Sequence, residues 1–245
     1  MRRMKNFLFI ALILIGLFLS SCITTFKTPE IRGVVLDAET GKPIEGARIY
    51  AKWQKIVSGP GGQTGGGIAK ELRLKTKRDG TFVVSPYSLV NFIPYPFGQG
   101  GSFYMIVYAH DYKYKSFTFY ETENFDKPKY EEFQKKLIEN KLKLELSKIK
   151  DPEVFVKNRG DIYSYVEVDQ DYIFEEDKLF VEKFGKQKWD KNIQYELAEA
   201  YYRIGDYKSA IKKLEEIIED NPNAKTKYFD EKYQKYKSKL KELNS

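Results

Sequence analysis

Ile31-Arg32-Gly33-Val34-Val35-Leu36-Asp37-Ala38-Glu39-Thr40-Gly41-Lys42-Pro43 is the stretch that decides the fold of this 245-residue chain. Its first half is rich in β-branched and aliphatic side chains, which suit a pleated, half-buried strand. Its second half is turn chemistry: aspartate bonds back to its own backbone, glycine accepts positive φ, and proline fixes φ. A strand, a turn and a second strand over residues 47–53 are therefore expected. Further on, Arg78-Asp79-Gly80 lies between strand-like residues 72–77 and 81–85, and the Asp-Gly pair reads as a hairpin turn. Residues 103–109 are a continuous apolar run of strand length, expected for a central buried strand. Residues 114–120 return beyond a turn at His110-Asp111-Tyr112-Lys113. Leu142, Leu144 and Leu146 alternate with Lys141, Lys143 and Glu145, the two-residue period of a half-buried strand. About seven strands separated by turn signals imply an antiparallel β-sandwich. Two stretches interrupt the pattern: residues 59–67, with six glycines in nine positions, read as an exposed flexible loop, and the Lys- and Glu-rich residues 129–140 as an exposed helix.

Four short motifs carry a resemblance. Gly33-Val34-Val35-Leu36-Asp37, Gly41-Lys42-Pro43-Ile44-Glu45-Gly46-Ala47, Thr76-Lys77-Arg78-Asp79-Gly80-Thr81-Phe82 and Ala109-His110-Asp111-Tyr112 resemble the carboxypeptidase regulatory-like family. That likeness spans residues 30–150 and implies a transthyretin-like sandwich. Its motifs are turn and core positions, so they bear on fold more than on activity. The glycine-rich stretch and the residue 129–140 helix depart from the family pattern, and inserted loops on a rigid sandwich are where binding functions tend to sit.

The composition changes after Pro152. Residues 151–172 show no stable period and read as a linker with one short strand at residues 163–168. From Ile193 the apolar positions Leu197, Tyr201 and Ile204 make a helical stripe, which Gly205-Asp206 breaks. A second stripe runs through Ala210, Leu214, Ile217 and Ile218, with Pro222 just past its end. Residues 191–224 resemble a tetratricopeptide repeat through Leu197, Ala198, Tyr201, Gly205, Asp206, Tyr207, Ala210, Leu214 and Pro222. A shift of 34 residues either way finds no second copy, and one repeat alone leaves a face uncovered. A helix over residues 175–184 is expected to cover one side. Phe229, Tyr233, Tyr236, Leu240 and Leu243 form an amphipathic stripe suited to capping the other. The alternative is that a stripe is left for a partner helix. The candidate partner-binding residues of this small all-α region, residues 173–245, are Tyr201, Tyr207, Phe229, Tyr233 and Tyr236.

The N-terminus reads as an export signal. Arg2, Arg3 and Lys5 precede an apolar run over residues 7–19, and Leu19-Ser20-Ser21-Cys22 follows. The run is shorter than the roughly 20 apolar residues that span a bilayer. The last four residues resemble the bacterial lipobox, which implies cleavage after residue 21, diacylglyceryl attachment to the Cys22 thiol and a short tether over residues 22–29. Cys22 is the single cysteine, so no internal disulfide is possible. Ile23 rather than Asp follows it, which favours the outer membrane in a diderm host. Removal of residues 1–21 takes three basic side chains and no acidic one, leaving 39 basic against 35 acidic residues, a formal +4.

Catalytic equipment is sparse. His110 is the single histidine and falls at a turn, so no metal or nucleophile–base constellation is expected, nor any cofactor. Asp37, Glu39 and Asp79 offer oxygen ligands, but turn geometry accounts for them more simply. Trp53, Trp189 and the tyrosines suit either core packing or stacking on sugar rings. Export argues against a nucleic-acid partner. The expectation is a non-enzymatic lipoprotein of the cell envelope, held by membrane lipid through Cys22 and making protein–protein contacts through its helical end. The alternative is glycan or cell-wall binding by the sandwich loops.

Overall fold

The computed structural model describes residues 23–59, 62–92, 98–120, 135, 142–224 and 226–244. The expected signal segment, Cys22 and nearly all of the helix expected at residues 129–140 lie outside the described residues. The chain forms a sheet unit and a helical unit. The first comprises residues up to Tyr108 with Lys115–Leu146, and the second Ala109–Tyr114 with residues from Ser147 onward.

Among the described residues, nine strands make the sheet unit: β1 (Ile23–Thr28), β2 (Ile31–Asp37), β3 (Arg48–Gly59), β4 (Gly62–Lys75), β5 (Thr81–Val84), β6 (Tyr87–Phe92), β7 (Gly98–Tyr108), β8 (Lys115–Tyr120) and β9 (Leu142–Leu146). They are arranged as a pair β1-β6, a three-stranded sheet β5-β2-β9 and a four-stranded sheet β4-β3-β7-β8. In the last, register places Ile49, Ala51 and Trp53 of β3 opposite Val107, Met105 and Phe103 of β7. All six are buried, and β7 is buried on both faces from Phe103 to Tyr108, as its unbroken apolar run predicts. Trp53 packs 5.1 Å from the Phe103 ring and 5.3 Å from Tyr87, and its indole N–H donates to Thr28 Oγ1 at 2.9 Å.

Glycine is required at two points of close approach. A Cβ on Gly33 would lie 2.7 Å from the Phe82 ring and 2.8 Å from the Leu142 carbonyl oxygen. One on Gly101 would lie 2.5 Å from Phe26, so β1 can cross β7 only over a bare backbone. The turn after β2 forms as its residues predict: the Asp37 carboxylate accepts from the Glu39 and Thr40 N–H groups at 2.8 Å, and Gly41 has φ +67°.

Several expectations are corrected. The supposed tether is β1, whose β-branched ITTFKT sequence pairs antiparallel with β6 and buries Phe26. The expected antiparallel arrangement is mixed, because β9 runs parallel to β2. The glycine-rich stretch is not a free loop. β3 and β4 stay paired to Gly59 opposite Gly62, with register shifts between Trp53 and Gln54 and between Gln54 and Ile56, since ladder hydrogen bonds need backbone rather than side chains. The Arg78-Asp79-Gly80 turn joins strands of two different sheets and is no hairpin between paired neighbours. It is held by the Asp79 carboxylate, which accepts from both the Thr81 N–H and hydroxyl, and by Gly80 at φ +74°.

Among the described residues, five α-helices make the helical unit: α1 (Pro152–Tyr165), α2 (Gln170–Phe184), α3 (Lys191–Arg203), α4 (Tyr207–Asp220) and α5 (Lys227–Leu243). Each starts at a side-chain cap. Asp151, Asp169, Asp190, Asp206 and Thr226 accept from the N–H groups of the first turn, worth about 1 kcal/mol each. The linker expected at residues 151–172 is therefore wrong: α1 fills most of it, and the supposed strand at residues 163–168 is the last residues of that helix, to Tyr165, followed by a short non-strand connection. The apolar period was hidden because the buried stripe of α1 reads Phe155, Asn158, Arg159, Ile162, helical in spacing but half polar. Two clusters form the core. Ile149, Phe155, Phe180, Phe184, Ile193, Leu197 and Ala200 make one, and Ala198, Ala210, Ile211, Leu214, Ile217, Phe229 and Tyr236 the other. Helix α3 contributes to both, and small Ala198 and Ala210 let α3 and α4 approach. The stripe of α5 packs only as far as Leu240, and Leu243 is exposed. Among the described residues no helix is long and apolar enough to cross a membrane.

Candidate functional site

Polar side chains of α1, α2, α3 and α5 form a network inside the helical unit. Asp177 has no solvent exposure and accepts from Arg159 Nη1 at 2.9 Å and from Arg203 Nε and Nη2 at 2.5 and 2.8 Å. Arg159 also pairs with Glu196, and Glu199 takes Lys232 and the Tyr236 hydroxyl. Asp177, Glu196 and Glu199 thus face Arg159, Arg203 and Lys232, a balanced set. Glu176 sits beside it, 2 % exposed, receiving the Tyr172 hydroxyl at 3.0 Å and the Tyr163 hydroxyl at 3.2 Å. Burial pushes the Glu176 carboxyl up to about 7, against the pull of those hydroxyls and of Arg159.

A buried carboxyl that titrates near neutrality invites a catalytic reading. Neither of the two cavities described below reaches Glu176, and its partners are the Tyr163 and Tyr172 hydroxyls, with the Arg159 charge nearby. It is better understood as a stability group. The folded form holds its proton up to about pH 7, the unfolded form only to about 4.5. The associated stability is therefore complete below about pH 4.5 and is lost as pH rises through 7, by about 3 kcal/mol. Glu176→Gln should flatten urea-unfolding free energies of the helical unit between pH 5 and 8 and make the variant the more stable protein at pH 8. An unchanged pH slope in the variant would remove Glu176 as its source.

The second feature is open to solvent. A groove of about 330 Å³ runs between α4 and α5, lined by Glu215, Ile218, Glu219, Phe229, Asp230, Tyr233 and Gln234. Ile218 and Glu215 lie three apart on α4, and Phe229 and Tyr233 four apart on α5, so each helix turns one short stripe into it. The Tyr233 hydroxyl donates to Glu215 Oε1 at 2.6 Å, and the Phe229 and Tyr233 rings stack at 6.5 Å. Apolar groups form the floor and three carboxylates the rim.

The five candidate residues do not gather at one place. Phe229 and Tyr233 line the groove, although Phe229 is only 6 % exposed and belongs mainly to the core. Tyr236 is 1 % exposed, stacks on Tyr202 at 4.2 Å and bonds Glu199, so it is a core residue and not a contact surface. Tyr201 is half-buried against both clusters, and Tyr207 packs 5.2 Å from Tyr202, away from the groove lining. Glu215, Ile218, Glu219 and Asp230 were missed. The signal was present in α4, where Glu215 and Glu219 sit four apart beside Ile218, but the matching face of α5 is known only once the two helices are docked.

The sheet unit has a cavity of about 530 Å³ over β2, β5 and β9, lined by Arg32, Gly33, Thr81, Phe82, Leu142 and Lys143 among others. Arg32 pairs with Glu30 and Lys143 with Glu145. Trp53 is closed to solvent, and Trp189 is half-buried with its N–H on the Phe184 carbonyl. The exposed large hydrophobic residues described in this unit, Ile68, Val83 and Val90, are not aromatic. His110, expected at the surface, stacks on Tyr172 at 4.1 Å and is half-buried. No group of three His, Cys, Asp or Glu side chains among the described residues is placed to hold a metal ion. No protein-family model matches the chain, and no curated protein matches it.

Proposed function

We propose that this chain is a non-enzymatic lipoprotein of the bacterial envelope, anchored through Cys22, whose helical unit docks a protein partner. The observation that carries the docking is the α4–α5 groove, an apolar floor open to solvent beside two packed helices. The anchoring rests on the basic, apolar and Leu-Ser-Ser-Cys order of residues 1–22. In this reading the sheet unit is a transthyretin-like sandwich with one parallel strand pair, serving as a rigid spacer. The α3–α4 hairpin is a single tetratricopeptide-like repeat whose open side is covered by α5. Glycan binding by the sandwich loops has less behind it, because among the described residues the tryptophan of the sheet unit and most of its aromatic side chains are buried in the core.

Photo-crosslinking in the native host tests this reading. A photoreactive residue at Gln234, in the groove, should capture a discrete partner, whereas one at exposed Val83 of β5 should not. Equal capture from both positions, or none from Gln234, would overturn docking by the helical unit.

A further inference from the structure

We infer that the α4–α5 groove takes a basic amphipathic segment of a protein partner, one that inserts an apolar side chain between Ile218, Phe229 and Tyr233 and sets lysine or arginine against Glu215 and Glu219. The inference deepens the docking reading and rests on it. Its ground is charge. The whole chain carries 42 basic against 35 acidic residues, yet the described residues that line the groove include three carboxylates and no cation. Outside that lining, Lys237 lies over the Tyr233 ring, 4.3 Å from its centroid, and acts on Glu215, while Lys188 is held by Asp220 and acts on Glu219. Local sign is thus opposite to the net charge, which draws a cationic segment and repels phosphate-rich or other anionic surfaces.

Size narrows the occupant further. A volume of about 330 Å³ is at the small end of pockets that enclose a whole ligand, and suits one or two side chains. Because the acids Glu215 and Glu219 are one helical turn apart, they span about 6 Å along α4. Two cations three or four residues apart on a partner helix match that spacing, with the apolar anchor between them. The Glu215 carboxylate is already oriented by the Tyr233 hydroxyl, so part of the rim is ordered before binding.

The test uses the full chain carrying a photo-crosslinker at Gln234, with two dye-labelled 14-residue probe peptides. One places leucine at helical spacing among lysines, and the other replaces every lysine by glutamate. The lysine peptide should crosslink at least roughly tenfold more than the glutamate peptide, and its yield should fall several-fold between about 50 and 300 mM salt. Glu219→Lys should lower the yield roughly tenfold. That substitution lies in the last turn of α4, where a cation suits the helix dipole, so the fold is retained. Glu219→Gln should give an intermediate loss. Equal yields from the two peptides, or an undiminished yield with Glu219→Lys, would overturn the inference. In the native host, capture from Gln234 that survives Glu219→Lys would discard the basic partner while leaving docking intact, whereas absence of any capture would discard both.

Discussion

Asp177→Ala should destabilise the helical unit by about 3–5 kcal/mol, the usual cost of stripping one partner from a buried ion pair. The carboxylate is fully enclosed and takes three hydrogen bonds, from Arg159 and Arg203. Without it, two guanidinium groups face each other, and Arg159, 7 % exposed at its side chain, cannot turn to water. For a unit of roughly 100 residues that loss corresponds to a fall in melting temperature of about 12 °C or more. The neighbouring Lys178, paired with Glu175 at the surface, is the internal control, and Lys178→Ala should cost less than about 1 kcal/mol. The triple variant Arg159→Met, Asp177→Leu, Arg203→Met should recover much of the loss, because apolar side chains of similar volume can replace a buried ionic triad. Thermal unfolding followed by helical circular dichroism measures all three. A loss for Asp177→Ala no larger than that for Lys178→Ala would show that the network contributes nothing to holding the helices.

Trp53→Ala is expected to cost the sheet unit a similar amount, about 3–5 kcal/mol. The indole is closed to solvent, lies against Phe103 and Tyr87, and ties β3 to β1 through the Thr28 hydroxyl. Truncation leaves a cavity and also removes the donor from a buried oxygen. Trp53→Phe separates the two effects, since it keeps most of the ring volume and loses only the hydrogen bond, for about 1–2 kcal/mol. Urea unfolding monitored by the strand signal gives both values. Should the alanine and phenylalanine variants lose the same stability, the hydrogen bond rather than packing would be what the tryptophan supplies.

Much of this fold is legible in particular residues. The apolar run of β7, the alternation of β9, the Asp37 turn and the α3–α4 hairpin with its Gly205-Asp206 break all appear where their patterns place them. What escaped is what local pattern does not encode. Alternation tells which face of β9 is buried but not which way its neighbour runs, so the parallel pairing with β2 could not be read. β1 is short, and its partner β6 lies about 60 residues away, so its six residues look like a tether until paired. α1 was hidden because Asn158 and Arg159 occupy core positions. They are buried for their hydrogen bonds: Asn158 with the backbone of Tyr112 and Tyr114, Arg159 with Asp177. The same holds for the candidate site. Aromatic stripes on α5 could be found, yet whether a given ring faces the core or the groove depends on docking against α4. That docking buried Tyr236 and left Tyr233 at the edge.

The central claim is that this module works from a membrane, and fate after loss of the Cys22 thiol tests it most directly. Cys22→Ala expressed in the native host should fold with unchanged circular dichroism and move from the membrane to the soluble fraction. The wild-type protein extracted from membranes should have the intact mass of a chain beginning at Cys22 with acyl groups attached. A Cys22→Ala protein that stays in the membrane fraction, or a wild-type mass that keeps residues 1–21 without lipid, would contradict the account and make residues 7–19 an uncleaved anchor.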